Sequence, residues 1–275
     1  MDQVTALLRE AAAAEIMPRY RSLKAEERFE KSTGEIVTAA DHAVEARLRE
    51  ALRDVRPDAA FVGEETHEAD PGQLAALTGD GAVWVVDPVD GTHNFAHGRR
   101  YFCVMVALVE AGDTVASWIH DPIGGWTARA LKGEGADIDG EPLRIPPPPE
   151  DPALLRGAVS TRFLPETLKA PAKAGARRLA HNRSLFCAGH DYVALCRGLQ
   201  HMALYFRTWP WDHAAGALLV QEAGGIAARF DGVPYRPADN TDSMLAAADT
   251  ATWRYAHDLL LPGIPMQPEA PLPPA

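Results

Sequence analysis

The sequence predicts an α/β protein in which helices cover a β-sheet. Apolar residues repeat at helical spacing near the N-terminus, several short β-rich runs follow between residues 59 and 131, and strand and helix patterns alternate in the second half. The chain has 275 residues, of which 47% are apolar and 24% charged. This composition is that of a globular protein, so a collagen-like or wholly disordered chain is excluded. At about 150 residues per domain, the length corresponds to one or two domains.

The N-terminal part contains two predicted amphipathic helices. In residues 4–11, apolar side chains recur at the i, i+3, i+4, i+7 spacing, and residues 38–55 carry apolar side chains on one face and charged ones opposite. Between the helices, Gly34 marks a turn and residues 36–37 a short extended piece.

Short β-rich runs predict the strands that follow. They lie at 59–63, 82–86, 102–109, 114–119 and 126–131. Turn signals at 112–113 and 139–140 suit hairpins. The second half predicts strands at 158–160 and 243–248, and helices at about 190–199, 212–223 and 250–261.

Proline-rich stretches divide the chain. Four consecutive prolines at 146–149 cannot continue a helix or a central strand, which indicates a stiff connector. We therefore expect an N-terminal α+β half over 1–148, which holds the metal-binding motifs, and a C-terminal α/β half over 149–261, which closes the site. Residues 262–275 contain six prolines, and we expect this tail to be disordered.

Charge and cysteine content exclude several classes of protein. Acidic residues outnumber basic ones 38 to 27, and the net charge of −11 argues against a nucleic-acid partner and suits a protein that holds cations. The three cysteines, 103, 187 and 196, have no spacing typical of a disulfide framework or a zinc knuckle. No apolar run is long enough to span a membrane and the N-terminus does not resemble a signal peptide, so we expect a cytoplasmic protein.

Carboxylates follow apolar runs at three places in the sequence. Glu64 follows one such run, the segment 87–92 (DPVDGT) ends a stronger one, and Asp212 opens a predicted helix. Because each acid lies at an end of a buried element, the three carboxylates are expected to meet in one pocket. Their mutual repulsion there must be offset by bound cations or by protonation, which raises their pKa values. Oxygen ligands without nearby His or Cys favour Mg²⁺ or Mn²⁺ over Zn²⁺.

The segment 87–92 also predicts a phosphate site. Its proline stiffens the turn, so that Asp87 and Asp90 face one point and the Val89 carbonyl joins them. Gly91 lets the main chain approach a ligand, and the amides of Gly91 and Thr92 would open a helix, which is an anion site. Singly, such motifs are more often turns, solvated loops or helix caps. Together they indicate cation-assisted phosphoryl chemistry.

These motifs together resemble the inositol monophosphatase family. The matching residues lie in the family's order between about 30 and 250: Lys31, 38–41, 63–65, 87–92, 94–95, 211–216 and 222–225. The resemblance implies an α/β fold, an α+β layered sandwich with alternating αβαβα layers of the sugar-phosphatase type. It also implies Mg²⁺-dependent hydrolysis of small phosphate monoesters, with two or three ions per site and Mn²⁺ as an alternative.

The resemblance implies metal ligands by position. Glu64, Asp87 and the Val89 carbonyl would hold the first ion. Asp87, Asp90 and Asp212 would hold the second, with Asp87 bridging the two.

It likewise implies the residues of catalysis and substrate binding. Asp41, Thr92 and Glu64, the last with a third and weaker ion, would orient and deprotonate the attacking water. Metal-activated water would attack in line, without a covalent phosphoenzyme. The residues expected to contact substrate are Asp90, Gly91, Thr92, Ala188 and Asp212.

Departures from the family pattern concern the substrate. Tyr205 stands where inositol-specific members carry a glutamate, residues 186–190 (FCAGH) alter the wall of the substrate pocket, and His93 argues mildly against nucleotides. We therefore expect an inositol phosphate-like polyol or sugar phosphate. Alternatives are histidinol phosphate, fructose 1,6-bisphosphate and 3′(2′),5′-bisphosphate nucleotides such as 3′-phosphoadenosine 5′-phosphate. A regulatory binding protein with a residual phosphatase site is a further alternative. Dimers are common in the family, so a homodimer is also expected.

The remaining conspicuous residues are expected to be structural. Arg207 suits an ion pair, Cys187 lacks an activating base and suits packing, and lone histidines are more often structural than catalytic. The histidines concerned are His190, His201 and His213. An aromatic cluster of residues 205, 206, 209 and 211 suits core or subunit contact rather than base stacking, given the acidic charge.

Overall fold

The computed structural model describes residues 1–31, 34–239, 241–267 and 272. Its helices are α1 (Asp2–Ala11), α2 (Ala39–Val55), α3 (Glu64–Ala69), α4 (Thr92–Ala96), α5 (Glu166–Ala176), α6 (Ala188–Cys196), α7 (Pro210–Glu222) and α8 (Thr250–Leu260). Its strands are β1 (Arg28–Glu30), β2 (Ile36–Thr38), β3 (Ala60–Gly63), β4 (Ala82–Asp90), β5 (Cys103–Glu110), β6 (Asp113–Asp121), β7 (Trp126–Leu131), β8 (Gly135–Ile138), β9 (Glu141–Leu143), β10 (Arg156–Val159), β11 (His181–Asn182), β12 (Met202–Phe206), β13 (Ile226–Ala228) and β14 (Ser243–Ala247).

Two large sheets form the framework. The first has seven strands in the order β3-β4-β5-β6-β7-β8-β9, in which β3 and β4 are parallel and every other pair is antiparallel. The second has five strands in the order β11-β10-β12-β14-β13. The hairpin β1–β2 lies before α2 and forms a separate two-stranded sheet.

Helices and sheets alternate in five layers. Helices α1 and α2 cover the outer face of the seven-stranded sheet, α6 and α7 lie between the two sheets, and α5 and α8 cover the outer face of the five-stranded sheet. The predicted αβαβα sandwich is therefore confirmed. Helix α7 packs closely against α6 at Gly216, where a Cβ would lie only 1.9 Å from the Tyr192 ring.

One apolar cluster joins the two predicted halves. It contains Val85 and Met105 of the first sheet together with Tyr192 and Leu219 of the middle helices. Residues 144–149 have no regular structure, as the four prolines predicted. The sheets of the two halves therefore share a core through the middle layer.

Several elements differ from the sequence predictions. Strands β8, β9, β12 and β13 and helix α5 had not been predicted, because these short or alanine-rich segments carry weak periodicity. The tail is not wholly disordered: Ile264, Met266 and Leu272 pack against the apolar cluster under α8. The backbone N–H of Gln267 donates to the Asp231 carbonyl at 2.9 Å. The rest of the predicted tail, 268–271 and 273–275, lies outside the described residues.

The structure also bears on membrane insertion. Among the described residues, no helix is both long and apolar enough to cross a bilayer.

Candidate functional site

Asp87 and Asp90 lie at the end of the buried strand β4. The pairing of β4 with β5 changes register between these residues, and the Val89 amide donates to Asp87 Oδ1 at 3.0 Å. Such an irregularity re-aims side chains that would otherwise follow the strand's alternation. Both carboxylates are buried, with exposed fractions of 1% and 8%.

Asp212 completes a cluster with these two residues. It is the third residue of α7, which starts with Pro210, a favoured first helical residue. Ligand oxygens of Asp87, Asp90 and Asp212 lie within 4.8 Å of one another, and we call this group the carboxylate cluster. Burial, followed by repulsion from Glu64 and then Asp90, raises the pKa of both Asp87 and Asp212 well above the ordinary range. An oxygen-only donor set with this repulsion fits a hard divalent cation.

Glu64 lies outside the carboxylate cluster and contacts a lysine. It is the first residue of α3, and Lys31 Nζ donates to Glu64 Oε1 at 2.7 Å and to Glu65 Oε1 at 2.8 Å. Burial would lower the pKa of Lys31, but the two carboxylates outweigh it and raise this pKa. Burial and then Glu64 raise the pKa of Glu65 to about 8. Because the Glu64 charge also raises the pKa of Asp87 and Asp212, Glu64 belongs to the same electrostatic site.

Asp41 and Thr92 are hydrogen-bonded beside the cluster. Asp41 lies in the first turn of α2, where its Oδ2 accepts from the backbone N–H of Thr38 at 2.8 Å. The Thr92 hydroxyl lies 3.2 Å from Asp41 Oδ1 and 2.8 Å from the Val89 carbonyl. Burial raises the pKa of Asp41 to about 7. A carboxyl with this pKa can accept a proton near neutral pH.

Gly91 makes the turn from β4 into α4. Its φ is +82°, and a Cβ there would lie 2.8 Å from the Tyr101 carbonyl, so that only glycine fits without strain. Helix α4 begins at Thr92, as predicted. Asn94 fixes this turn because its Nδ2 donates to the carbonyls of Tyr101 at 2.8 Å and Leu185 at 2.9 Å.

Asp90 also contacts the start of α6. The Ala188 amide donates to its Oδ1 at 3.2 Å, and the Gly189 amide donates to its Oδ2 at 2.7 Å. These are first-turn N–H groups, which have no partner within their own helix. Ala188, which the resemblance implied to contact substrate, thus lies beside Asp90, and its segment is joined to the carboxylate cluster.

The three histidines and Arg207 have the structural surroundings that were expected. His213 Nδ1 bonds to the Tyr192 hydroxyl at 2.8 Å, and burial lowers its pKa to about 3, so the ring is neutral. His201 Nδ1 accepts from the Arg156 amide at 3.0 Å, and His190 Nε2 lies 3.3 Å from the Phe102 carbonyl. The Arg207 guanidinium pairs with Glu35 and lies 3.9 Å from the Phe163 ring centroid.

The predicted aromatic cluster is three separate groups. The rings of Trp209 and Trp211 stack at 5.1 Å, whereas Tyr205 packs against His213 at 4.8 Å and Phe206 against Phe230. Residues 205 and 206 separate because successive side chains of a strand point to opposite faces.

Two side chains at the site were missed by sequence reasoning. Glu45 accepts from the Glu65 amide at 2.7 Å and thereby holds the start of α3. A sequence signal existed, since Glu45 interrupts the apolar face of the helix predicted at 38–55. Cys103 lies 3.5 Å from Asp90 Oδ2 and had no signal, because a cysteine in a β-rich run looks like any small apolar residue.

Comparison with known proteins adds independent information. The model of the inositol monophosphatase family matches residues 1–264. Inositol monophosphatase 2 of Solanum lycopersicum is 33% identical over 222 residues, which are 78% of this chain and 82% of that protein. A fructose-1,6-bisphosphatase/inositol-1-monophosphatase of Thermotoga maritima is 30% identical over 205 residues, 74% of this chain and 75% of that protein. The crystal structure of the extragenic suppressor protein suhB of Bartonella henselae superposes with a TM-score of 0.81 at 22% identity, covering 96% of this chain and 99% of that one.

Proposed function

Because this chain belongs to the inositol monophosphatase family, whose members hydrolyse phosphoric monoesters, we propose that it is a Mg²⁺-dependent phosphatase of small polyol or sugar phosphates. The observation that carries the proposal is the carboxylate cluster, in which oxygens of Asp87, Asp90 and Asp212 lie within 4.8 Å of one another. Burial and repulsion between carboxylates raise the pKa of Asp87 and Asp212, and a bound divalent cation would offset both effects.

The proposed ligands come from three elements, the strand β4 and the helices α3 and α7. Asp87, the Val89 carbonyl and Glu64 would hold one ion, and Asp87, Asp90 and Asp212 a second. The ions would supply Lewis acidity to the phosphoryl group and lower the pKa of the attacking water. Glu64 would exchange part of its contact with Lys31 for this role, since Lys31 keeps Glu65 as a partner at 2.8 Å.

Asp41 and Thr92 are proposed to handle the proton of the attacking water. The Thr92 hydroxyl is within donating distance of both the Val89 carbonyl, at 2.8 Å, and Asp41 Oδ1, at 3.2 Å, and its lone pairs can accept from a water. When the hydroxyl turns to Asp41, the proton of the water would pass to Thr92 Oγ1 as the hydroxyl proton passes to Asp41 Oδ1. General bases contribute about 10²- to 10⁴-fold to a rate, and a pKa of about 7 suits that role at neutral pH.

The phosphate and the alcohol part of the substrate are proposed to bind on opposite sides of the carboxylate cluster. The amides of Gly91 and Thr92 would face the phosphate. Asp90 and Asp212, with the segment at Ala188, would face the alcohol part.

The substrate class is proposed from the pocket wall. Among described residues the Tyr205 hydroxyl has no hydrogen-bond partner, and this phenol would contact a ligand hydroxyl without adding a charge. Phe186 is 75% exposed, directly precedes the residue that contacts Asp90 through its thiol, and would cover an apolar edge of the substrate. The Thermotoga maritima relative is named for two substrates, fructose 1,6-bisphosphate and inositol 1-phosphate, which supports sugar and polyol phosphates as a class.

Phosphate release tests the proposal. A panel of inositol 1-phosphate, fructose 1,6-bisphosphate, histidinol phosphate and 3′-phosphoadenosine 5′-phosphate is assayed with Mg²⁺ and with a chelator. We expect Mg²⁺-dependent release from a polyol or sugar ester, and a loss of about 10²-fold or more in Asp212→Asn. The matched control is Asp54→Asn, whose carboxylate is exposed on α2. Full activity of Asp212→Asn would contradict the proposal, as would wild-type activity that is unchanged by the chelator.

A further inference from the structure

Two buried thiols lie beside Asp90. Cys103 lies at the start of β5, and Cys187 immediately precedes α6. Their sulfurs are 3.7 Å apart, and they lie 3.5 and 3.0 Å from Asp90 Oδ2. The exposed fractions are 0% for Cys103, 3% for Cys187 and 8% for Asp90. We call these three residues the thiol–carboxylate cluster.

The spacing of these atoms matches a coordination sphere. With Zn–S near 2.3 Å and Zn–O near 2.0 Å, a tetrahedral ion separates two sulfurs by about 3.8 Å and a sulfur from an oxygen by about 3.5 Å. Two of the three observed separations, 3.7 and 3.5 Å, are within about 0.1 Å of these values, and the third, 3.0 Å, needs a small opening. Thiolates favour soft or borderline ions, whereas the carboxylate cluster favours hard ones.

We propose that the thiol–carboxylate cluster is a second metal site, which binds a thiophilic divalent cation such as Zn²⁺ or Cd²⁺. Cys103, Cys187 and Asp90 Oδ2 supply three ligands, and water supplies the fourth. On binding, each thiol loses its proton to solvent and forms one metal–sulfur bond, with no change of oxidation state. Cys196 provides the contrast, because it is equally buried and has no ligand group beside it among the described residues.

The two metal sites share Asp90. Its Oδ2 accepts from the Gly189 amide at 2.7 Å, and Asp90 also belongs to the carboxylate cluster. A thiophilic ion on Oδ2 would loosen this contact with α6 and withdraw negative charge from the neighbouring site. Binding of the thiophilic ion therefore inhibits hydrolysis. This regulatory part, unlike binding itself, rests on the proposed phosphatase function.

Cadmium titration tests binding without using activity. The reduced full-length protein, with Mg²⁺ in excess, is titrated with Cd²⁺ while the thiolate-to-cadmium charge-transfer absorption is recorded. We expect saturation at one equivalent in the wild type and in Cys196→Ala. In Cys103→Ala and Cys187→Ser the apparent affinity should fall about tenfold or more, since changes even outside the ligand shell cost about 10- to 100-fold. Absence of the band in the wild type, or its persistence in both variants, would overturn the proposal.

Zinc inhibition tests the regulatory part. At saturating Mg²⁺, Zn²⁺ should inhibit the wild type and Cys196→Ala at equal concentrations, whereas Cys103→Ala and Cys187→Ser should require about tenfold more. Activity of each variant is expressed relative to its own value without zinc, and circular dichroism verifies its fold. Equal potency in all four proteins would place the inhibiting ion in the carboxylate cluster and refute the regulatory part. A protein that binds cadmium but hydrolyses none of the esters would refute the phosphatase proposal alone.

Discussion

Replacement of Asp41 by asparagine should stabilise the metal-free protein while it removes the proposed general base. Burial raises the pKa of Asp41 from an ordinary 3.8 to about 7, so the ionised side chain disfavours the folded state. The stability that the neutral acid provides is present below about pH 4 and is lost as the pH rises through about 7. At about 1.4 kcal/mol per pKa unit, this loss amounts to about 4 kcal/mol.

Asparagine suits the hydrogen bonds at this position. Its carbonyl can accept from Thr38, as Asp41 Oδ2 does, and its amide can donate to Thr92 Oγ1 while Thr92 donates to the Val89 carbonyl. Asp41→Asn should therefore gain up to about 4 kcal/mol over the wild type at pH 8 and little below pH 4. Its rate should fall by about 10²- to 10⁴-fold, the contribution of a general base.

Urea unfolding in the presence of a chelator measures the effect. The free energy of unfolding is followed by circular dichroism across this pH range for the wild type, Asp41→Asn and Asp54→Asn. Asp54 is the matched control because it lies on the same helix with an exposed side chain. Parallel pH dependences of wild type and Asp41→Asn would refute the reasoning, as would an active Asp41→Asn enzyme.

Two further predictions concern the supports of the site. Gly91→Ala should lower the free energy of unfolding by about 1–3 kcal/mol for its strained φ and more for the contact with the Tyr101 carbonyl. Gly125→Ala is the control for backbone strain alone, because Gly125 has a φ of +71° and open space around it. If both variants lose the same free energy of unfolding, the contact with the Tyr101 carbonyl contributes nothing and the prediction is wrong. Lys31→Met should lower the free energy of unfolding by less than the roughly 3–5 kcal/mol of a fully ionised buried pair, because Glu65, with a pKa of about 8, can stay protonated when its cation is removed. Addition of Glu65→Gln should restore part of that loss in the same urea assay, and no recovery would argue against the pairing.

The sequence was sufficient for elements that carry a strong local pattern. The long helix α2, strand β4 and the hairpin of β5 and β6 were predicted within a few residues, because periodicity and turn residues agree there. Strand β13 has three residues and β11 only two, so neither offers a pattern to detect. The positions of these strands are determined by pairing with neighbouring strands, and a local sequence pattern carries no information on that pairing.

The site was also predicted only in part: the residues with a local signal were identified, and the contacts between distant segments were not. Asp87, Asp90 and Asp212 follow apolar runs, which places each of them at the end or start of a buried element, and the structure brings these three together. The partnership of Glu64 with Lys31 was not predictable, since it depends on how the hairpin β1–β2 lies against α3. The meeting of Cys103 with Cys187 depends on the docking of α6 against the first sheet, which involves residues 84 positions apart.

The shared middle layer determines when the site can form as the chain folds. Asp87 and Asp90 come from the first sheet and Asp212 from a helix held between both sheets. A divalent ion at the proposed site would therefore be held only by chains in which this assembly is complete, and it would shift the folding equilibrium by mass action. When divalent ions are scarce, a larger fraction of molecules would then be unfolded and open to proteolysis. Ion supply would thus set the lifetime of the protein as well as its turnover rate.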